Sequence, residues 1–589
     1  MELVKIDLPP GILNNTTALG AEGRWKDGDK IRFHNKLVQP IGGWAKQNTT
    51  AFLGMARGSL AWTSNTYNKY LALGTHLKLY VWGTAFTDIT PLRASGTLGA
   101  NPFAAVDTLT TITVTDVAHG AIVNDYVTFG GATASNGITI NGEYQVVTVI
   151  DVDSYTITHS AAATSTGSGG GGVVTYAYQI NTGGQNGVFG LGWGAGTWGA
   201  STWGTARSTS NIFTSPRTWS FTLWGEDLIA NPKGGGIYAW DTSVGTGTRA
   251  AVISGAPTTA NAVLVSEQDR HLIAFGAHDG SLNQPMLIRW SDQEDYTTWT
   301  ASATNTAGSK LLRGGSEILA AIPTQGEILV LTDNNAHTMQ FVGGNFVYAF
   351  QEVAQNCGII GPQAGISVDG RIFYMGQSDF YLYDGRVRTL PCDVHEFVYR
   401  DIEINQRAKC HAGHNPDFDE VWWFFTSDGE LEPDKYVIYD YAQNIWSCGS
   451  MARTTWVSAG HVYPNPLATS TTGYMYAHES GNSDDGSALA AYVESGDFDM
   501  ADGGKLVFMD RVIPDFVDQV GNITLTIKTR KYPQGTQTSK GPYTLATTST
   551  MVPIRARGRQ VAFRLASSGT SNFWRLGKFR GRMRPDGSR

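Results

Sequence analysis

Charged residues, cysteines and long apolar runs are all scarce in this sequence. Charged side chains make up 16% of the 589 residues, against about 25% in an average domain. Four cysteines are too few for a disulfide scaffold, and no apolar run approaches the roughly 20 residues of a membrane-spanning helix. The sequence therefore predicts neither a disulfide-stapled fold nor a helical membrane protein.

The first residues also lack the apolar core of a secretory signal. The segment MELVKIDLPPGILNN is interrupted by Lys5, Asp7 and a proline pair, whereas a signal peptide needs about 7–15 apolar residues in a row. We therefore expect the chain to be made and folded in a cytoplasm.

Common catalytic motifs are missing as well. The chain contains no GxxxxGK[ST], no HExxH and no GxSxG in a strand-turn-helix setting. Paired carboxylates occur at Asp497/Asp499 and in the run SDQED at residues 291–295, but glycoside hydrolysis needs two carboxyl groups about 5–9.5 Å apart across a sugar cleft. Acidic turns that cap hairpins are the commoner explanation. We predict no enzymatic activity and no catalytic residue.

Two Cys/His pairs have spacings that a zinc site could use. They are Cys392 with His395 and Cys410 with His414. Their order is not that of a common zinc finger, and cysteine also serves as a small buried apolar residue. We predict no metal and no cofactor, and the interpretation of these four residues stays open.

Glycine and aromatic residues are, by contrast, abundant. The chain has 70 Gly, 17 Trp, 24 Tyr and 24 Phe, which favours β-sheet over helix. A short apolar strand, a Gly/Asn/Asp/Ser turn and an alternating second strand recur at residues 69–82, 227–241, 271–292, 371–385 and 420–446. Centres about 40–60 residues apart are typical of propeller blades. We predict an all-β fold, an irregular β-propeller, with an array of sandwiches as the alternative.

Composition divides the chain into four predicted parts. Residues 1–94 hold an N-terminal segment and the first blade or blades. Residues 95–182 have no Trp and are rich in Thr, Val, Ile, Ala and Gly, which indicates an inserted small β-sandwich on an outer surface. Residues 183–488 form the propeller body, and residues 489–589 form a C-terminal β-sandwich or platform with a basic end.

A Gly/Trp-rich loop interrupts the propeller body at residues 188–205. Trp193, Trp198 and Trp203 recur there every five residues, a spacing that fits neither the helix nor the strand period. Two interpretations are open: a cluster of structural turns, or indole rings presented to a second subunit or a carbohydrate.

Positive charge is concentrated near the C-terminal end. Residues 551–589 contain ten Lys and Arg against one Asp, so the first 550 residues carry a net charge of −17 within a total of −8. In the closing WRLGKFRGRMRPDGSR, Arg580, Arg582 and Arg584 alternate with apolar or small residues, which places them on one face of a strand. This face is either a solvated edge guarded by charge or a docking surface for an acidic partner or phosphate.

The opening PPGILNNTTALGAEGRWKDGDKIRFHNKLVQPIGGW, residues 9–44, resembles the start of the tail nozzle proteins of short-tailed bacteriophages, also called tail tubular or head-completion hub proteins. The shared pattern is a Pro-Gly turn, Gly-Arg-Trp, an Asp-x-x-Arg-Phe strand and Gly-Gly-Trp. Residues 287–299, the Trp-Gly repeat and the closing LGKFRGRMRPDGSR are similar to such proteins as well.

The resemblance implies a structural virion protein. It implies a β-propeller subunit that forms a hexameric ring below the portal and adaptor, extends the DNA channel, retains the genome and conducts it during ejection. The partners would be further copies of the chain, the adaptor or head-completion protein, tail fibre or tail needle proteins, and genomic DNA that passes without sequence-specific binding. The location would be the virion tail, assembled in the bacterial host cytoplasm.

Aromatic and arginine side chains are the anchors expected in subunit interfaces. The candidates are Arg24, Trp25, Trp44, Trp193, Trp198, Trp203, Arg580, Arg582 and Arg584. The net charge of −17 outside the basic end fits a channel wall that does not bind DNA, because Lys and Arg on that wall would hold phosphates. The alternative function, from another class, is a receptor-binding or glycan-degrading virion β-propeller.

Overall fold

The computed structural model describes residues 2–187, 215–344, 346–499 and 504–587. These residues form mostly antiparallel β-strands. The helical segments among them are α1 (His395–Tyr399) and 3₁₀ turns at Thr242–Val244, Ile404–Lys409 and Pro416–Phe418. In this part of the chain no helix has the length and apolarity that crossing a membrane requires. The predicted all-β fold class is confirmed.

The chain divides into two compact units. One comprises Met1–Phe52, Asn186–Ser215 and Leu312–Arg589, and the other comprises Leu53–Gln185 and Pro216–Leu311. This division differs from the four predicted parts because the N-terminal segment and the C-terminal sheets belong to one unit.

Five short strands open the chain. They are β1 (Glu2–Ile6), β2 (Trp25–Asp29), β3 (Ile31–His34), β4 (Leu37–Pro40) and β5 (Trp44–Lys46). β3 and β4 form a hairpin. The other pairings of these strands are with the last quarter of the chain, so the N-terminal segment is not a blade of its own.

The first four-stranded sheet has its strands in sequence order, as in a propeller blade. The strands are β6 (Ala56–Thr63), β7 (Lys69–Thr75), β8 (Leu79–Trp82) and β9 (Phe86–Asp88). A Cβ on Gly74 would lie 2.2 Å from the indole of Trp219, whose Nε1 donates to the Thr75 carbonyl at 2.8 Å. Glycine at position 74 therefore permits the indole to pack flat on β7.

The inserted segment contains two antiparallel β-sheets that enclose one core. Its strands are β10 (Leu92–Leu98), β11 (Phe103–Ala105), β12 (Thr111–Thr115), β13 (Tyr126–Gly130), β14 (Gly142–Gln145), β15 (Thr148–Val149), β16 (Ser154–Thr158), β17 (Gly167–Gly169) and β18 (Val174–Gln179). One sheet has the order β10-β18-β13-β14 and the other β15-β16-β12-β11-β17. Phe103, Phe129 and Tyr155 fill the core between them.

Lys78 ties this insert to the first sheet. Its Nζ lies 3.1 Å from Asp88 Oδ2, 2.6 Å from Glu143 Oε1 and 2.8 Å from Gln179 Oε1. The ammonium group is buried, and a buried cation needs such partners. The insert is therefore held by a polar network at its base.

Two further blade-like sheets complete this unit. Their strands are β19 (Trp219–Trp224), β20 (Asp227–Pro232), β21 (Tyr238–Trp240) and β22 (Ala251–Val252), then β23 (Ala262–Val265), β24 (Leu272–Phe275), β25 (Leu287–Trp290) and β26 (Gly308–Leu311). Trp62, Tyr70 and Trp240 contact one another with ring centroids 5.5–6.3 Å apart. These rings join the first sheet to the second.

The other unit contains three more sheets of this form. Their strands are β27 (Ile318–Pro323), β28 (Ile328–Thr332), β29 (Ala336–Phe341) and β30 (Tyr348–Ala354); β31 (Gly365–Val368), β32 (Arg371–Met375), β33 (Phe380–Tyr383) and β34 (Val387–Leu390); and β35 (His411–Asn415), β36 (Glu420–Phe425), β37 (Lys435–Asp440) and β38 (Ile445–Ser450). All five hairpins predicted from the sequence are confirmed as antiparallel pairs.

The next sheet is completed by an N-terminal strand. It contains β39 (Thr455–Val457), β40 (Leu467–Thr469), β41 (Met475–His478), β42 (Ser483–Asp484) and β43 (Ser487–Ala488), and β5 lies between β41 and β42. Trp44 of β5 donates from Nε1 to Asp484. Trp44 also joins the core of Trp422, Phe424 and Trp456.

The C-terminal strands form the predicted platform together with β1–β4. They are β44 (Ala491–Ser495), β45 (Phe498–Asp499), β46 (Val507–Ile513), β47 (Phe516–Val520), β48 (Ile523–Arg530), β49 (Thr538–Leu545), β50 (Val552–Gly558), β51 (Gln560–Ser567), β52 (Phe573–Leu576) and β53 (Phe579–Pro585). The sheet orders are β1-β53-β46-β50, β2-β44-β51-β48-β49 with β45 beside β51, and β3-β4-β52-β47.

A buried arginine fixes β3 within this unit. The Nε of Arg32 lies 2.9 Å from Glu420 Oε1, and its Nη1 lies 2.9 Å from Glu479 Oε2. The guanidinium carbon also lies 3.6 Å from the ring centroid of Phe418. Arg32 is 1% exposed, so this pairing replaces water around the cation.

Candidate cationic docking face

The last strand divides its side chains between core and solvent. Phe579 and Met583 of β53 are buried, whereas Arg580 and Arg584 are exposed and Arg582 is half-buried. The two sets alternate because successive side chains of a strand point to opposite faces. Arg580, Arg582 and Arg584 therefore lie on the outer face of β53, opposite the side chains that enter the core.

The neighbouring strands of the same sheet extend this face. In the register, Lys5 lies opposite Arg580 and Arg511 lies opposite Arg582, and directly opposed residues share a face. The edge strand β50 presents two exposed arginines of its own. We call the following residues the cationic face: Lys5, Arg511, Arg555, Arg557, Arg580, Arg582 and Arg584.

Carboxylates offset only part of this charge. The ion pairs are Arg582–Asp510, Arg511–Asp510 at 3.6 Å, Arg557–Asp586 at 2.6 Å and Lys5–Asp7 at 3.2 Å. Arg582 holds the pKa of Asp510 below its usual range through a charge-assisted hydrogen bond. Within the described ranges Arg555, Arg580 and Arg584 make no ion pair. Arg584 instead lies 4.7 Å over the ring of Phe508.

A groove of about 590 Å³ adjoins the cationic face. Arg555 and Arg557 belong to both the face and the groove. Further basic residues that line the groove are Arg530 of β48, Lys540 of β49 and Lys531 of the loop between these strands. Arg530 is paired with Asp497 at 3.0 Å, whereas the two lysines have no ion-pair partner among the residues the structure describes. The groove therefore continues the positive surface beyond the sheet.

This arrangement can bind anions but holds no group poised for catalysis. Like charges on one face repel each other, and an acidic surface relieves that repulsion. The arginines lie on strands of a packed sheet, so few side-chain and no backbone rearrangements are needed before they contact a partner. The face is suited to docking.

The other predicted interface residues are divided. Trp25 and Trp44 are 3% and 4% exposed, because both indoles belong to the chain's own cores. The prediction that they contact a second subunit is therefore corrected, since they have almost no accessible surface. Arg24 is half-exposed and donates to Asp393 at 3.1 Å. The members of the Gly/Trp-rich loop, Trp193, Trp198 and Trp203, lie outside the described residues.

The carboxylates considered for glycoside hydrolysis belong to turns and ion pairs. The hydroxyl and backbone N–H of Thr297 hold the pKa of Asp295 below its usual range. Hydrogen bonds from Thr306 do the same for the pKa of Asp292, against the effect of its burial. Asp497 is buried and paired with an arginine. A general acid needs a raised pKa, which neither Asp292 nor Asp295 has.

An Asp-His-Thr chain that the sequence analysis did not single out lies at the start of β24. His271 Nδ1 lies 2.6 Å from Asp269 Oδ2, and His271 Nε2 lies 3.0 Å from Thr306 Oγ1. The Thr306 hydroxyl donates to Asp292 at 2.7 Å, so it is not free to attack a substrate. This network closes a turn. In the sequence this network is visible locally only as Asp-x-His, because Thr306 lies 35 residues after His271.

The two Cys/His pairs do not come together as one site among the described residues. Among the described residues no group of three or more metal-type ligands occurs. His395 Nε2 lies 2.7 Å from a backbone carbonyl, and His414 Nε2 lies 3.2 Å from a tyrosine hydroxyl. Burial raises the pKa of the Cys410 thiol to about 12, which disfavours the thiolate that a metal would need.

No family model and no curated protein matches the chain. Solved structures with some similarity include the phage phi92 endosialidase (10% identity, 80% of this chain and 74% of that chain, TM-score 0.18). Two others are the AfRom2 CNH domain (8% identity, 59% of this chain and 92% of that chain, TM-score 0.28) and YCF48 bound to D1 peptide (8% identity, 66% of this chain and 97% of that chain, TM-score 0.28). At TM-scores this low they carry no argument about function.

Proposed function

We propose that the chain is a structural subunit of a bacteriophage tail, a tail nozzle protein. Copies assemble into a ring that extends the DNA channel below the portal and adaptor and retains the genome until ejection. The observation that carries this proposal is the cationic face, a preformed docking surface on a sheet that also includes the N-terminal strand β1. The resemblance of residues 9–44 to tail nozzle proteins supplies the class of assembly.

The cationic face favours a protein partner over DNA. Leu3, 49% exposed, lies on the same face opposite Arg582, and the half-buried Phe508 lies opposite Arg584. A protein surface can cover such apolar atoms while it pairs the arginines, whereas DNA phosphates contact only the cations. Arginines that held phosphates would also slow a genome in transit.

Opposite charges elsewhere in the chain support assembly of like copies. The first 550 residues carry a net charge of −17, so an acidic surface of one copy is attracted to the cationic face of another. Such attraction raises the association rate and weakens as salt screens it.

The proposal is tested by native mass spectrometry and negative-stain microscopy of the purified protein, alone and with isolated phage connector particles. We expect rings, or a ring-shaped density that forms only on the connector. Arg580→Glu/Arg584→Glu should weaken assembly about 100-fold, because it places like charges against an acidic surface. The matched control is Arg313→Glu/Arg386→Glu, which changes two exposed arginines outside the face.

Two results would overturn the proposal. One is a wild-type protein that stays monomeric and ignores connectors. The other is a face variant that assembles at the wild-type concentration. Turnover of a host polysaccharide by the purified protein would favour the alternative, a receptor-binding or glycan-degrading virion propeller.

A further inference from the structure

The inserted sandwich exposes an apolar patch on two of its loops. We define the patch by Val117, Ile122, Val123, Ile150 and Val152, which are 49–77% exposed. Hydrogen bonds join the loops: Asp116 N donates to Asp153 O at 2.9 Å, and Ala118 N donates to Asp153 Oδ1 at 2.8 Å. Grouped exposed apolar side chains on ordered loops mark interaction surfaces.

The sandwich that carries the patch has more acidic than basic side chains, and its one arginine, Arg93 of β10, is paired with Asp125 at 3.4 Å. Residues 94–182 contain no Lys or Arg, and their acidic residues are Asp107, Asp116, Asp125, Glu143, Asp151 and Asp153. Asp151 and Asp153 flank Val152 directly. The hydroxyl of Ser154 donates to Asp151 and holds the pKa of that carboxyl below its usual range. Carboxylates therefore lie directly beside the patch.

We infer that the apolar patch of one copy docks on the cationic face of a second copy of this chain. This inference rests on the proposed function and names the acidic surface that the face binds. The two surfaces match in charge, since carboxylates flank the patch and arginines form the face. They also match in polarity, because Leu3 and Phe508 supply apolar atoms within the face.

A contact between two different surfaces has a consequence for assembly. Each copy offers one patch and one face, so the contact is heterologous and repeats from copy to copy. Such contacts close into rings when the rotation permits and otherwise extend as filaments. The inserted sandwich would then be an assembly element of the tail ring.

The test places positive charge on the two most exposed residues of the patch. Val117→Arg/Val152→Arg should raise the concentration at which rings form about 100-fold, since arginines would face arginines. The matched control is Val252→Arg/Leu282→Arg, two exposed apolar residues outside the insert. Ring formation is followed by native mass spectrometry, and circular dichroism verifies that each variant is folded.

Mixing two defective variants gives the decisive result. The patch variant and Arg580→Glu/Arg584→Glu should each fail to assemble alone. Mixed in equal amounts they should form rings again, because each arginine-bearing patch can meet a glutamate-bearing face and each native patch can meet a native face. When the control variant, which assembles alone, replaces either partner, the remaining defective variant should stay outside the rings.

The inference is overturned if the patch variant forms rings at the wild-type concentration or if the mixture stays unassembled. A patch variant that forms rings yet no longer binds connectors would assign the patch to the adaptor protein and would also overturn it. None of these outcomes affects the proposed function, which falls if the wild-type protein makes no ring with or without connectors or if the face variant assembles at the wild-type concentration.

Discussion

Arg32 shows how one buried side chain can hold an N-terminal segment in place. It lies between Glu420 and Glu479, which belong to two different sheets of the same unit, and Asn415 donates to Glu479 at 3.1 Å. Taking three charged groups out of water is costly, and their mutual attraction offsets that cost only while all three are present. The main effect of removing Arg32 therefore comes from the two carboxylates that would remain without a counterion.

Removing this cation should be strongly destabilising. Arg32→Met leaves two buried carboxylates without a counterion, and we expect the free energy of unfolding to fall by about 3–5 kcal/mol. Denaturant unfolding followed by tryptophan fluorescence measures this. Arg313→Met, an exposed position, should change stability by less than about 0.5 kcal/mol. Equal losses in the two variants would contradict the assignment.

Glu420 should make stability depend on pH. Burial raises its pKa from 4.5 to about 7, outweighing the attraction of Arg32. The folded protein then binds a proton that the unfolded chain has released, so stability is lost as pH rises between these two values. Relative to Glu420→Gln, the wild type should lose about 3 kcal/mol of unfolding free energy between pH 4.5 and 8.

The comparison needs unfolding curves of both proteins across that pH range. Glu430→Gln, on an exposed turn, is the matched control and should follow the wild-type profile. Parallel profiles for wild type and Glu420→Gln would show that the carboxyl titrates at its ordinary pKa.

At the scale of elements, the hairpins could be predicted because their signals are local. An apolar strand, a turn and an alternating strand within about 15 residues determine their own pairing. The pairing of β1 with β53 or β5 with β41 has no such signal, since the partners lie hundreds of residues apart. Composition likewise could not tell whether Trp25 and Trp44 fill a core or an interface, because both sites favour tryptophan.

The pairing of β1 with β53 can be tested by proteolysis. Deleting residues 1–6 leaves β53 as an edge strand, which opens more readily. We expect trypsin to cleave after Arg580 or Arg582 at least about 10-fold faster, as measured by mass spectrometry of the fragments. Leu3→Ser, which keeps the strand, should cleave at the wild-type rate. An unchanged rate in the deletion would contradict the observed pairing.

At the scale of the whole molecule, charge is separated along the chain. Residues 94–182, which hold no Lys or Arg, and a C-terminal sheet rich in Arg occur in the same chain of net charge −8. The sequence alone showed the basic end, because its arginines alternate over one strand. It could not show which strands lie beside that end, since Lys5 and Arg511 join the face only through pairing.

Pairing between β1 and β53 also bears on how the protein is synthesised. A ribosome makes residues 2–6 first and residues 579–585 roughly half a minute to two minutes later, at about 5–20 residues per second. Until β53 is made, β1 and β46 lack the strand that lies between them in the sheet. The sheet consequently forms only after β53 has been made, and a nascent chain that stops before β53 exposes unpaired strand edges for a chaperone or protease to recognise.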